Sequence, residues 1–255
     1  MILEKDVAKI IDWLKEYKEK TNCPGVVLGI SGGKDSTVVA MLAKKVWGDN
    51  VIGVLMPNGL QTDLDDSLDI VSRLNLKHCT VNIAGSFGQL LNNIDNEMKL
   101  NKTCFDIDTN SVSAKSKTNI APRLRMTTLY AIAQTLGYQV IGTGNATERF
   151  LGWFTKWGDG ANDFNPIGHL TCSEVIEVGL ILAKEFNLPE KYIVKTPSDG
   201  LTGKSDEDNF GFTYEEVDSY ILGTGLGLDE TKRKRMIGMH NSTEHKRNQI
   251  PMIKD

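Results

Sequence analysis

The chain has 255 residues, of which 40% are hydrophobic and 24% are charged, so it can bury a sizeable core as one large domain or two small ones. The 29 basic residues are outnumbered by 33 acidic residues, and the net charge of -4 argues against a surface devoted to nucleic acid or to an anionic membrane. No apolar run approaches the roughly 18 residues of a membrane-spanning helix, so we expect a cytoplasmic globular protein with neither a nucleic-acid nor a membrane partner.

Hydrophobic spacing predicts the first elements in chain order. Apolar residues recur at helical spacing over residues 3–20, which predicts an amphipathic helix. The apolar run Val26–Ile30 is too short for a helix and predicts a buried strand, which a glycine turn connects to a helix over Val38–Val46. A second buried strand at Val51–Leu55 completes a strand, helix, strand unit, which indicates a right-handed crossover in a parallel sheet.

The same alternation continues through the middle of the chain. Further helices are predicted over 63–74, 122–136 and 173–186, and further strands over 78–83 and 138–141. This pattern predicts an α/β fold with a doubly wound, Rossmann-like and mostly parallel sheet flanked by helices, whose ligands bind at the carboxyl ends of the strands. The polar stretches 101–118 and 196–209 are predicted to be mobile loops.

The sequence Ser-Gly-Gly-Lys-Asp-Ser, residues 31–36, lies between the first strand and the next helix. Two glycines allow a sharp turn, and the hydroxyls and the positive end of the helix favour an anion such as phosphate. The loop lacks the four residues between glycines and the Ser or Thr after Lys that P-loop ATPases require. A carboxylate at Asp35 indicates a magnesium ion that bridges it to phosphate; the alternative is a plain turn in which Asp35 caps the helix.

This loop resembles that of the ATP pyrophosphatases, which cleave ATP between the α- and β-phosphates and use AMP to activate an acyl or carbonyl oxygen. Later segments are similar, in the same order, to motifs of the NAD synthetases: Arg123-x-Arg125-Met126, Gly142-Thr143 to Glu148, Phe154-Thr155-Lys156, Gly158-Asp159-Gly160, Asp163, Thr196-Pro197-Ser198, Gly211-x-Thr213-Tyr214 and His245-Lys246-Arg247. The resemblance runs from about residue 5 to residue 250. It implies a ligase that converts deamido-NAD into NAD with ATP and ammonia, through an adenylated intermediate, in the last step of NAD biosynthesis.

The resemblance also implies a role for individual residues. Asp35 and Glu148 become the magnesium ligands and the catalytic residues. The ATP-binding residues become Gly29, Ile30, Ser31, Gly32, Gly33, Lys34, Asp35, Ser36, Thr143, Cys172 and Ser198. The deamido-NAD-binding residues become Arg123, Lys156, Asp163, His245 and Lys246. The alternatives are an ordinary first-turn acid at Glu148, turn or cap residues at Thr143 and Ser198, and surface charges at Arg123 and Lys156.

Two positions depart from the family pattern. Cys172 stands where relatives carry a lysine that contacts ATP. The stretch Asn119-Ile120-Ala121-Pro122-Arg123 replaces Asn-x-Lys-Ala-Arg, which removes a second lysine and places a proline where a first helical turn tolerates it. A positive charge at the triphosphate is therefore either missing or supplied by Lys34, Lys195 or Lys204.

The length of the chain bears on the nitrogen source. We expect one NAD synthetase domain over residues 1–255 that uses free ammonia, because a glutamine-hydrolysing domain would need about a hundred residues or more. The resemblance further implies a homodimer with the dinucleotide near the subunit interface. Two alternatives remain: another ATP pyrophosphatase such as a tRNA thiolase, although no Cys-x-x-Cys pair is present, and a non-catalytic adenine-nucleotide-binding protein, which would not need paired metal ligands.

Overall fold

The computed structural model describes residues 2–59, 64–101, 111–195, 206–224 and 228–253. Four parallel strands form one sheet in the order β3-β2-β1-β4. They are β1 (Val26–Gly29), β2 (Val51–Leu55), β3 (Lys77–Thr80) and β4 (Gln139–Val140). In register, Val26 of β1 lies between Val51 of β2 and Gln139 of β4. The predicted parallel sheet is confirmed.

Helices make up most of the described chain. In order they are α1 (Glu4–Thr21), α2 (Lys34–Trp47), α3 (Leu64–Arg73), α4 (Ala84–Leu100), α5 (Ala114–Thr118), α6 (Ile120–Leu136), α7 (Ala146–Leu151), α8 (Cys172–Phe186), α9 (Lys191–Val194), α10 (Asp206–Phe210), α11 (Tyr214–Leu222) and α12 (Glu230–Ser242), before a 3-10 turn at Glu244–Lys246. No helix of the described chain is long and apolar enough to cross a membrane.

The predicted strands and helices are largely in place, with differences at their ends. The predicted strand 78–83 ends at Thr80, although the backbone N–H groups of Val81 and Ile83 still donate to Leu55 and Pro57. The two predicted loops are partly helical, since α5 lies within the first and α10 begins within the second. Residues 102–110 and 196–205 of these loops lie outside the described residues, so their predicted mobility stays a prediction.

The central strands β1 and β2 are buried on both faces, which explains why they are continuously apolar, whereas the edge strand β3 is exposed. Val26 and Leu28 of β1 pack with α1, α2, α3 and α8 on one face. Val27 of β1 and Val140 of β4 pack with α4 and α6 on the other face. A third cluster joins α7 to the C-terminal helices through Leu151, Phe210, Val217 and Met236. The doubly wound fold class is therefore confirmed.

The strand order creates a crevice between β1 and β4. The chain leaves β1 through α2 on one face, whereas it reaches β4 through α4 and α6 on the other. Helices that depart to opposite faces leave a gap outside the carboxyl ends of the two strands, where doubly wound proteins bind their ligands. The glycine loop after β1 and the residues after β4 both lie at this gap.

Candidate active site

The loop after β1 is held in shape by its own hydroxyl groups. Gly32 has a φ of 78°, which favours glycine. The Ser31 hydroxyl accepts from the N–H of Gly33 at 3.2 Å and lies 3.1 Å from the Ser36 hydroxyl. Ser36 in turn donates to the carbonyl of Gly33 at 3.1 Å. The loop therefore presents a fixed turn at the positive end of α2, as anion sites do.

A cavity of about 790 Å³ opens at this end of the sheet. Ten of the predicted site residues line it: Gly29, Ile30, Ser31, Gly33, Lys34, Asp35, Ser36, Thr143, Glu148 and Lys246. They come from segments on both sides of the crevice and from the C-terminal end of the chain. The volume lies within the range of about 300–1,000 Å³ that is typical of small-molecule sites.

Asp35 and Glu148 bring two carboxylates to this cavity from the first turns of α2 and α7. Burial raises the pKa of Glu148 to about 8, and the negative charge of Asp35 contributes in the same direction. Glu148 is also the N3 residue of the capping box of α7, so the ordinary helix role and a place in the cavity coexist. Two neighbouring carboxylates, one of which holds its proton more tightly because of burial and the charge of the other, provide a favourable place for a cation.

The donor set fits magnesium. Magnesium is commonly held by one or two carboxylates, with substrate phosphates and water as its other ligands. No group of three or more His, Cys, Asp or Glu side chains that could hold a metal occurs among the described residues. Phosphate and water oxygens would therefore have to complete the coordination of an ion held by Asp35 and Glu148.

Lys34 is a buried cation beside these acids. Its side chain is 3% exposed, and its Nζ lies 2.8 Å from Asp35 Oδ2. Burial alone would lower the pKa of Lys34, but its interactions with neighbouring groups, above all with the charge of Asp35, outweigh burial and raise it. Lys34 therefore stays protonated in the cavity wall. Its Nζ lies 5.8 Å from the centre of the Tyr214 ring.

Cys172, the first residue of α8, lies against Lys34. It is buried, and burial raises the pKa of its thiol to about 12 even though Lys34 opposes that shift. The residue is therefore a neutral thiol in contact with a cation. The family pattern has a lysine at position 172, on α8. In this chain a positive charge is supplied nearby by Lys34 of α2 instead.

The residues predicted for deamido-NAD are not all at the cavity. Lys246 lines it and donates at 2.6 Å to the carbonyl oxygens of both Gly152 and Phe154. Arg123 donates to the carbonyl of Lys156 at 3.3 Å, and Lys156 Nζ donates to the carbonyl of His245 at 2.6 Å. These contacts gather Arg123, Lys156 and His245 in one surface cluster, whose members do not line the cavity.

Asp163 is apart from this cluster. Asp163 accepts from the backbone N–H of Val140 at 2.7 Å and from the Tyr130 hydroxyl at 3.3 Å. In this chain Asp163 therefore satisfies a donor of strand β4. Ser198, predicted to contact ATP, lies outside the described residues.

Two polar residues, one lining the cavity and one behind its acids, had no role in the sequence interpretation. Arg125 lines the cavity, and its Nε donates to the carbonyl of Met56 at 3.1 Å. Asn145 is buried and contacts both Asp35 and Glu148. The pattern Asn145-x-x-Glu148 is a capping signature that the sequence contained, but its contact with Asp35 depends on tertiary structure.

The crevice between β1 and β4, the phosphate-type loop and the pair of acids define a nucleotide-binding α/β enzyme. The family model described as NAD synthase matches residues 6–250. An NH(3)-dependent NAD(+) synthetase of Carboxydothermus hydrogenoformans is 40% identical over 258 residues, covering 98% of each chain. The chain belongs to the NAD synthase family, and it is a ligase that forms a carbon–nitrogen bond.

Solved structures agree with this assignment. The structure of NMN synthetase from Francisella tularensis matches with a TM-score of 0.86 and 32% identity over 100% of both chains. An NH3-dependent NAD synthetase from Campylobacter jejuni matches with a TM-score of 0.75 and 29% identity, again over 100% of both chains. The predicted family and fold are confirmed.

Proposed function

We propose that the cavity between β1 and β4 carries out the amidation of deamido-NAD by ammonia, with ATP as co-substrate and Asp35 and Glu148 as the essential acids. The observation that carries this proposal is the meeting of these two carboxylates beside the glycine loop in one cavity. Both steps of the reaction move negative charge on phosphate oxygens, so fixed donors and cations at this place would supply most of the catalysis.

In the first step, a carboxylate oxygen of deamido-NAD attacks the α-phosphorus of ATP, the bond to the β-phosphate breaks and pyrophosphate leaves. In the second step, ammonia attacks the adenylated carbonyl carbon, the carbon–nitrogen bond forms, the nitrogen loses one proton to water, and AMP leaves with the electrons of the carbon–oxygen bond. The loop of residues 31–36 would bind the pyrophosphate portion, and the buried ammonium group of Lys34 would balance its charge. Cys172 stays a neutral thiol, and the reaction needs no protein nucleophile.

Asp35 and Glu148 are the residues that would hold magnesium. When bound, the ion would neutralise charge on the phosphates and polarise them toward attack. Thr143, at the carboxyl end of β4, would contact the adenosine portion of ATP. Lys246 and the surface cluster of Arg123, Lys156 and His245 would bind deamido-NAD, as would Asp163.

A homodimer would explain why several of these residues lie outside the single-chain cavity. Helix α4 has no buried residue, although Phe87, Leu91 and Ile94 recur along it at helical spacing. Leu90 on α4 and Leu136 on α6 are 39% and 47% exposed. A second copy packed on α4 and α6 would cover this apolar face and bring Arg123, near the start of α6, into the interface. The enzyme would be a cytoplasmic homodimer with small-molecule substrates.

The test is to incubate the protein with ATP, MgCl₂, deamido-NAD and ammonium chloride, and to measure NAD, AMP and pyrophosphate. The three products should form in equal amounts, and Asp35→Asn and Glu148→Gln should each lower turnover by at least about a hundredfold, as loss of a metal or oxyanion partner does. Asp12→Asn, an exposed acid of α1, is the control. Formation of AMP with another acid but not with deamido-NAD would refute the proposal, and full activity of Asp35→Asn would remove that residue from it.

A second acceptor, the acid form of nicotinamide mononucleotide, has one observation in its favour. The Francisella tularensis protein that matches with a TM-score of 0.86 is an NMN synthetase. Parallel assays with the mononucleotide and with deamido-NAD decide between them through kcat/KM. A higher value for the mononucleotide would make this chain a mononucleotide-amidating enzyme with the same chemistry.

A further inference from the structure

The geometry points to Asn145 as a positioning residue that holds the carboxylates of Asp35 and Glu148 in one fixed arrangement. The inference rests on the proposed function, in which these two acids act together. It assigns a role to a residue whose side chain contacts the carboxylate of Asp35 and the backbone of Glu148, whose backbone N–H contacts the carboxylate of Glu148, and which would itself contact neither ATP nor the acceptor.

Asn145 is 1% exposed and lies at the junction of β4 and α7. Its Nδ2 donates to Asp35 Oδ1 at 3.1 Å, while its Oδ1 accepts from the backbone N–H of Glu148 at 2.9 Å. Its own backbone N–H donates to Glu148 Oε2 at 3.0 Å. One residue therefore contacts both acids through three separate atoms.

This arrangement goes beyond ordinary helix capping. A cap needs only an oxygen that accepts from the first turn, and Ser, Asp or Asn supplies it about equally well. The amide nitrogen is not used by the cap. It reaches instead to α2, whose attachment to β1 is independent of α7, and so couples two elements that lie on opposite sides of the crevice.

The coupling has a physical purpose for two acids in a half-buried crevice. When both are ionised, as metal binding requires, their charges repel, so without an intervening donor the side chains would turn apart toward water. Lys34 Nζ already engages Asp35 Oδ2 at 2.8 Å, and the amide of Asn145 engages the other oxygen. Asp35 is thus held from two sides, and its position relative to Glu148 is fixed by Asn145. Groups that orient metal-binding carboxylates in this way typically change metal affinity or activity by about 10–100-fold when removed.

Asn145→Ser and Asn145→Asp separate this role from capping. Both variants keep an oxygen that caps α7, whereas neither can donate an amide N–H to Asp35. Asp229→Ala, which removes the N-cap of helix α12 without touching Asp35 or Glu148, is the control for loss of a cap alone. Binding of Mn²⁺ is measured by electron paramagnetic resonance with α,β-methylene-ATP, which cannot be cleaved at the reacting bond, and steady-state kinetics and thermal unfolding are recorded for each variant.

The expected result is an unfolding temperature of Asn145→Ser close to that of the wild type, with Mn²⁺ affinity and kcat each lowered by about 10–100-fold and with KM for deamido-NAD unchanged. Asp229→Ala should unfold earlier and bind Mn²⁺ normally. Wild-type Mn²⁺ affinity in either Asn145 variant would overturn the inference, and so would failure of both to fold, because Asn145 would then serve the fold. If the wild type itself binds no Mn²⁺ and makes no AMP, the proposed function fails instead.

Discussion

Asp35 and Glu148 lie close enough that the charge of Asp35 adds to the effect of burial in raising the pKa of Glu148 to about 8. The ordinary value is 4.5, so folding favours the protonated form of Glu148. Its stabilising contribution is complete below about pH 4.5 and is lost as the pH rises through 8. In the absence of metal, ionised Glu148 therefore destabilises the fold at neutral pH.

Glu148→Gln should consequently stabilise the metal-free protein. Gln also supports a capping box, and it has no charge to bury. In EDTA at pH 8 we expect a gain in the free energy of unfolding of about 1 kcal/mol or more, since one unit of pKa shift corresponds to about 1.4 kcal/mol. The gain should shrink as the pH falls toward 4.5, which urea unfolding at several pH values measures.

Glu216→Gln is the matched control for that experiment. Glu216 occupies the same capping-box position at the start of α11, but a hydrogen bond from Lys232 lowers its pKa. Its stabilising contribution is therefore present above its ordinary pKa and lost at low pH, so this variant should lose a few tenths of a kcal/mol at pH 8. A gain of equal size in both variants would show that the amide and not the lost charge is responsible.

Much of this site follows from local sequence, and the remainder does not. The loop of residues 31–36 could be placed because a buried strand, two glycines and a helix are adjacent in the chain. The contact of Asn145 with Asp35 could not, because it depends on β4 inserting beside β1. Helix α4 was not predicted, although its apolar residues recur at helical spacing. The structure shows that none of its residues is buried within one chain. In the single chain Asp163 does not line the cavity and accepts a hydrogen bond from the backbone of β4. No local sequence pattern could distinguish this structural contact from a contact with substrate.

Because Lys34 and Cys172 are in contact, we predict that a lysine can supply the positive charge from either position. Lys34→Gln should weaken α,β-methylene-ATP binding by about tenfold, the cost of one charge-assisted hydrogen bond. The double variant Lys34→Gln, Cys172→Lys should recover most of that affinity, because the new ammonium group would start from α8 beside the same cavity wall. Isothermal titration calorimetry measures both.

Cys172→Ser serves as the control, since it changes the thiol without adding a charge. We expect its affinity for α,β-methylene-ATP to stay within a few-fold of the wild type. If the double variant binds as weakly as Lys34→Gln, the two positions do not share one role, and the missing lysine is not replaced by Lys34.

A charge placed on the exposed apolar face of α4 and α6 should disrupt the proposed dimer. Leu90→Glu should convert a dimer into a monomer, because burying one unpaired carboxylate in an apolar interface costs several kcal/mol. Analytical ultracentrifugation measures the mass. Turnover of deamido-NAD should fall with the loss of the partner, whereas α,β-methylene-ATP binding within one chain should persist.

Leu222→Glu is the control for that variant, because Leu222 is 50% exposed on α11, away from α4 and α6. It should leave the mass unchanged. A wild-type protein that sediments as a monomer, or a Leu90→Glu protein that remains dimeric, would contradict the proposed interface.

Replacement of Asp218 should destabilise the fold more than the loss of an exposed helix cap does. The residue lies on α11, is 3% exposed and accepts from the Ser173 hydroxyl at 2.6 Å and the Ser173 N–H at 2.8 Å, as well as from the Thr147 hydroxyl. Asp218→Ala would leave these buried donors without an acceptor, so we expect a loss of about 3 kcal/mol. Asp229→Ala removes an exposed cap and should cost about 1 kcal/mol. Because Thr147 precedes Glu148 in α7, Asp218→Ala should also weaken Mn²⁺ binding; equal losses of stability in the two variants would show that Asp218 does no more than a helix cap.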